Sequence, residues 1–151
     1  MQVAARLLTF LPVLMAVFDC SAGPGIAAGW KQNGVNVCGY HSDKFTPCVA
    51  GDGKGGVFVA WKDYRGENPD IYCQRVDSGG NILWKKNGMG VCVDENRQYG
   101  PVIAASDDGT AFIAWEDNRN GDFDIYCAKI SGSGKIIRIT PVCTAEENQV
   151  L

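Results

Sequence analysis

A chain of 151 residues is long enough for one domain with a substantial core and too short for two ordinary ones. Its net charge of −3, with both signs interspersed, presents no basic surface for nucleic acid or an anionic membrane. A single histidine, His41 in the polar stretch GYHSDKFT, and the absence of any Cys-x-x-Cys pair argue against a zinc centre.

Residues 1–22 place Arg6 before the apolar run LLTFLPVLMAVF and then small residues, the pattern of a secretory signal peptide. Cleavage is expected after Ala22 or as late as residue 29. The run is too short to span a bilayer and is broken by Pro12. Asp19, immediately before Cys20, disfavours a lipid anchor there. The mature chain is therefore expected to be secreted or displayed at the cell surface, with no membrane insertion. Six cysteines remain: Cys38, Cys48, Cys73, Cys92, Cys127 and Cys143. In an oxidising compartment these are disulfide candidates.

An internal repeat is the strongest signal. Residues 30–83 and 84–137, offset by 54 without a gap, share twenty identical positions. Among them are Trp30/Trp84, Cys38/Cys92, Pro47/Pro101, Trp61/Trp115, Asp63/Asp117, Arg65/Arg119 and the tetrapeptide DIYC. Residues 138–151 hold the start of a third copy, in which VCTAEENQ (142–149) echoes VCVDENRQ (91–98) after a three-residue deletion. A period this long points to stacked supersecondary units that bury a common core.

Each unit reads as four strands in chain order. PCVAGD (47–52) or PVIAAS (101–106) comes first, and VFVAW (57–61) or AFIAW (111–115) second. The second run lacks polar alternation, so both of its faces are expected to be buried. DIYCQRVD (70–77) or DIYCAKIS (124–131) forms the third strand, and a fourth is expected to start at Ile82 or Ile136 after the turns SGGN and GSGK. No stretch beyond the signal has helical periodicity. The expected fold is all-β, with two four-stranded antiparallel blades of β-propeller type and the start of a third.

The motif A-W-x-D-x-R…D-I-Y-x-Q-R-V-D…G…W, present here as GDGKGGVFVAWKDYRGENPDIYCQRVDSGGNILWKKNG (51–88) and a degenerate second copy, resembles repeats of exported bacterial proteins of propeller type. The resemblance implies a surface or secreted scaffold with no established reaction. Such proteins string many repeats together, whereas little more than two are present here, and cysteine follows D-I-Y in both copies.

The loops KDYRGENPD (62–70) and EDNRNGDFD (116–124) have the composition of a cation site. A structural turn network is the favoured reading: Asp63 or Asp70 accepts loop amides and Arg65 bridges the two carboxylates, with Asp117, Arg119 and Asp124 doing the same in the second copy. A calcium loop at Asp117, Asn120, Asp122 and Asp124 is the weaker alternative, because Arg119 inside it would oppose the cation. Trp61 and Trp115 are expected in the core. Trp30 and Trp84 are expected to be partly exposed, packing at a blade interface or, on a lectin reading, stacking on a saccharide. The expected disulfides are Cys73–Cys92, Cys127–Cys143 and Cys38–Cys48, with Cys38–Cys73 and Cys92–Cys127 as the rival scheme.

No nucleophile elbow, His–Glu metal motif or phosphate loop occurs, and Asp107 and Asp108 sit in a turn that favours aspartate for backbone reasons. A non-enzymatic scaffold, adhesion or protein-interaction module without a cofactor is expected, with a small lectin as the alternative. Two blades leave two outer faces bare. Completion by a homo-oligomer, preferably a six-bladed trimer, or by further blades is therefore expected.

Overall fold

The computed structural model describes residues 30–31, 33–146 and 148–151. The signal-peptide reading and Cys20 lie outside the described residues. Eight strands alternate with turns: β1 (Lys44–Gly51), β2 (Val57–Asp63), β3 (Asp70–Val76), β4 (Met89–Cys92), β5 (Gln98–Ala105), β6 (Ala111–Asp117), β7 (Asp124–Ile130) and β8 (Ile136–Cys143). They form two four-stranded antiparallel sheets with neighbour order β1-β2-β3-β4 and β5-β6-β7-β8. The architecture is all-β, with propeller-like blades.

Strands β1 to β3 map onto β5 to β7 at an offset of 54 residues, and β2 and β3 pair without slippage from Val57↔Val76 to Asp63↔Asp70. The fourth strand departs from expectation. Ile82 makes only an isolated bridge to Val76, and the chain then loops through residues 83–88 before β4 pairs with β3. In the second sheet the three-residue deletion removes that loop, so β8 starts at Ile136 as expected and runs to Cys143. The first sheet thus draws its outer strand from beyond Trp84.

The two sheets pack face to face. Ala60, Ile71, Cys73, Val91 and Cys92 of the first meet Ile113, Trp115, Tyr126, Ala128 and Ile130 of the second in one buried cluster. Because strand side chains alternate between faces, Phe58 and Ala60 point toward the second sheet while Val59 points away. The second sheet reverses this: Ile113 and Trp115 are fully buried against the first, and Phe112 is 40% exposed. Each sheet therefore covers one face of the other and leaves its own opposite face open.

At one end of the interface Trp84 forms a clamp. Its Nε1 donates to the Gly132 carbonyl at 3.0 Å, and the Arg75 guanidinium donates to the same oxygen at 2.9 Å. Asp52 holds Arg75 from behind at 2.7 Å. Gly134 has a left-handed φ of 84°, which glycine adopts without strain, and a Cβ there would lie 3.0 Å from the Trp84 ring and press on it.

Candidate functional site

The repeated W-x-D-x-R box builds the opposite end of each blade. Asp117 closes β6 and is fully buried. Its carboxylate accepts from Trp115 Nε1 at 2.8 Å, from the Arg119 amide at 3.1 Å, and from the Arg119 guanidinium at 2.9 Å and 2.6 Å. Arg119 then lies over the Tyr126 ring at 4.2 Å, and Tyr126 stacks on Trp115. The first blade repeats the arrangement: Asp63 accepts from Trp61 at 2.8 Å, from Ser42 at 2.6 Å and from the Arg65 amide at 3.0 Å, and it pairs with the Arg65 guanidinium. Burial opposes the charge of Asp63. The hydrogen bonds from Arg65, Ser42 and Trp61 outweigh it and hold the carboxyl down at about 2.

Arg65 and Arg119 do not bridge two carboxylates, which corrects the sequence reading. Each spends its remaining reach on a cysteine: Arg65 meets Cys38 Sγ at 3.3 Å and the Asn87 carbonyl at 2.9 Å, and Arg119 meets Cys92 Sγ at 3.1 Å. Asp70, although buried, accepts the Asp94 amide at 3.2 Å and no other hydrogen bond among the described residues. Burial and the nearby carboxylates of Asp63 and Asp94 push its pKa up. Asp124 instead accepts the side-chain amide of Asn120 at 2.8 Å. The four residues of the calcium alternative do not converge: Asp117 is engaged by Arg119, Asn120 turns its amide nitrogen to Asp124, and Asp122 is exposed.

The expected disulfides are absent, and the register explains why. All six described cysteines are free thiols. Met89 lies opposite Cys73 and Ile71 opposite Cys92, while Thr140 lies opposite Cys127 and Ile125 opposite Cys143. Each expected blade pair is thus diagonal, at a Cα separation of about 7–8 Å, whereas a disulfide needs about 4.4–6.8 Å. Cys48 faces the Ala60 carbonyl while Cys38 sits on Arg65, so the Cys38–Cys48 pair and the rival scheme through Cys38 also fail to form. Cys92, on Arg119 and Asp117, is likewise unlinked to Cys127.

Between the two boxes lies an open cleft of about 950 Å³. The β2–β3 loop supplies Glu67 and Asn68, the β4–β5 loop Asp94, Glu95 and Asn96, and the β6–β7 loop Arg119 and Asn120, with Asp70 on the wall. Antiparallel alternation brings these three loops to one end of both sheets. Asn68 reaches across to the Glu95 carbonyl at 2.6 Å and ties the blade's own loop to the connection between blades. Sequence reasoning missed this cleft, because its walls combine the two copies of the repeated β2–β3/β6–β7 loop with the β4–β5 connection, and the repeat carries no information about how these loops meet. Trp61 and Trp115 are core residues, as expected, and Trp84 is a half-buried interface residue. Trp30 is half-buried. Asp108 caps its turn by accepting the Thr110 amide at 2.8 Å.

No family model matches the chain. Over 102 residues, 68% of its length, it is 26% identical to a protein described as Protein TolB homolog from Chlorobaculum tepidum. The chain spans 20% of that protein's length. Together with the two stacked sheets, this distant similarity fits a repeat of propeller type.

Proposed function

We propose that the chain is an extracytoplasmic, non-enzymatic interaction module of β-propeller type, which engages a protein partner through the cleft between the β2–β3, β4–β5 and β6–β7 loops. The observation that carries this reading is the cleft's construction. Glu67, Asp70, Asp94 and Glu95 surround it against a single cation, Arg119, and three asparagine amides supply further hydrogen-bonding groups. A lining of this kind favours a polypeptide segment presenting lysine, arginine or backbone amides over an apolar small molecule. The exported location rests on the signal-peptide pattern of residues 1–22, and the distant similarity to a TolB homolog supports the propeller-type repeat. A scaffold or adhesion role belongs to the same reading, as does completion of the bare faces by neighbouring blades or a homo-oligomer. The lectin alternative draws less support, since Trp61 and Trp115 are buried and the Trp84 ring rests on Gly134.

Affinity capture from the native extracytoplasmic fraction tests the proposal, using the wild-type chain beside the double variant Glu67→Lys/Glu95→Lys. Both side chains are exposed, so folding is expected to survive the change. A protein captured by wild type and lost from a variant of unchanged melting temperature supports the proposal. Identical captures refute it, and saccharide binding that depends on Trp84 would favour the lectin.

A further inference from the structure

The segment WKQNGVNVC (30–38) repeats WKKNGMGVC (84–92), whose last four residues form β4, the outer strand of the first blade. The likeness extends to geometry. The Gly34 amide donates to the Lys31 carbonyl at 2.9 Å, and the Gly88 amide to the Lys85 carbonyl at 3.0 Å. Both glycines are left-handed, with φ of 78° and 84°. Downstream, Cys38 meets Arg65 at 3.3 Å as Cys92 meets Arg119 at 3.1 Å. Residues 35–38 therefore run past the first blade as β4 runs past the second. Two differences remain: β4 pairs with β3, whereas residues 35–38 belong to neither sheet, and the chain bends at Val37, where the Cys38 amide donates to Asn36 Oδ1 at 3.1 Å, a turn that a sheet partner would have to open.

We infer that residues 35–38 are the outermost strand of a further blade, and that the strand's partner is a three-stranded sheet of the same repeat with a free third-strand edge. The open face of the first blade marks where that sheet rests. Val49 is 64% exposed and Val59 half-buried, while their counterparts Ile103 and Ile113 pack in the interface that the two blades already share. The new contact would continue that interface, because the same face of the repeat is used in both places. A second copy of this chain is a poorer occupant. Its β7 edge already carries β8, ending in Cys143, which would claim the position of Cys38. The occupant thus adds three strands and receives its fourth from this chain, a strand-addition contact specified by main-chain hydrogen bonds and alternate side-chain pockets. This inference rests on the fold and not on the cleft.

The test duplicates residues 44–83 directly ahead of Trp30 in the full chain, so that the junction reads SGGNIL-WKQNGVNVC as the native one reads SGGNIL-WKKNGMGVC. Amide exchange at residues 35–38 is expected to slow by about tenfold or more relative to the parent chain. Val37→Pro, which deletes one strand amide, should abolish the slowing and leave the two native blades protected. Unchanged exchange at residues 35–38 would overturn the inference, as would failure of the added strands to fold. Concentration-dependent protection of these amides in the parent chain alone would also overturn it, by making a second copy the occupant.

Discussion

Replacing Asp117 with alanine is expected to destabilise the fold by about 4 kcal/mol. Removing one partner of a buried ion pair costs about 3–5 kcal/mol, because the other charge stays in place without compensation. The Arg119 side chain is 28% exposed, and water there places the cost at the lower end. The orphaned Trp115 indole N–H adds about 1 kcal/mol. Natural domains hold only about 5–15 kcal/mol in total, so the variant should be folded but close to its limit. Urea unfolding followed by tryptophan fluorescence gives the value directly. Two comparisons sharpen it. Asp70→Ala, which loses a single amide contact, should cost about 1 kcal/mol. Asp117→Ala/Arg119→Leu should cost less than the sum of its parts, because the unpaired charge is gone. A loss below about 1 kcal/mol for Asp117→Ala, or equality with Asp70→Ala, would refute the assignment of the box as the blade's structural anchor.

Other expectations follow from the same geometry. Because the folded pKa of Asp63 is depressed to about 2, the stability contributed by its hydrogen bonds is complete above the unfolded value of about 3.9 and disappears as pH falls through 2. Acid titration of the melting temperature should show that window, and Asp63→Asn should flatten it. Asp70 has the opposite sign: burial raises its pKa, so Asp70→Asn should raise the melting temperature at neutral pH. Native alkylation should modify Cys38 and Cys143 well before Cys73 and Cys92. Burial pushes the Cys73 thiol far up, and burial with the Asp117 carboxylate takes Cys92 to about 12. Mass spectrometry finding any of the thiols in a disulfide would contradict the register. Thr46, at the β1 bulge, has a φ of 48° where the equivalent residue Gly100 has 54°. Thr46→Gly should therefore stabilise the chain by about 1 kcal/mol in thermal unfolding.

The 54-residue offset made seven of the eight strands legible, all but β4, since identical turn and core residues recur in both copies. The W-x-D-x-R box was legible as a structural turn because an arginine within an acidic loop needs a carboxylate nearby. Its true geometry was not: the spacing of Asp63 and Asp70 gives no indication that Arg65 turns to a cysteine from the neighbouring segment. The fourth strand was misread in the first blade, where Ile82 has strand composition but the loop through Trp84 defers pairing to Met89. The disulfide reading failed in both blades for one reason: the outer-strand cysteine lies opposite Ile71 or Ile125, two residues away from Cys73 or Cys127. The clamp on Gly132 and the cleft both join residues from different repeats, and periodicity within a repeat carries no information about such contacts.

Two blades sharing one buried interface are the foundation of the account, and hydrogen exchange as a function of denaturant measures that sharing most directly. Amides of β2 and β6 should open with one common free energy and one common denaturant slope, because Phe58, Ala60, Ile113 and Trp115 lose their contacts together. Trp84→Ala, which removes the indole and one of the two donors that clamp Gly132, should lower both values in parallel. If β2 opened at a distinctly lower free energy than β6 in the wild-type chain, the blades would be independent units and the shared interface would be contradicted.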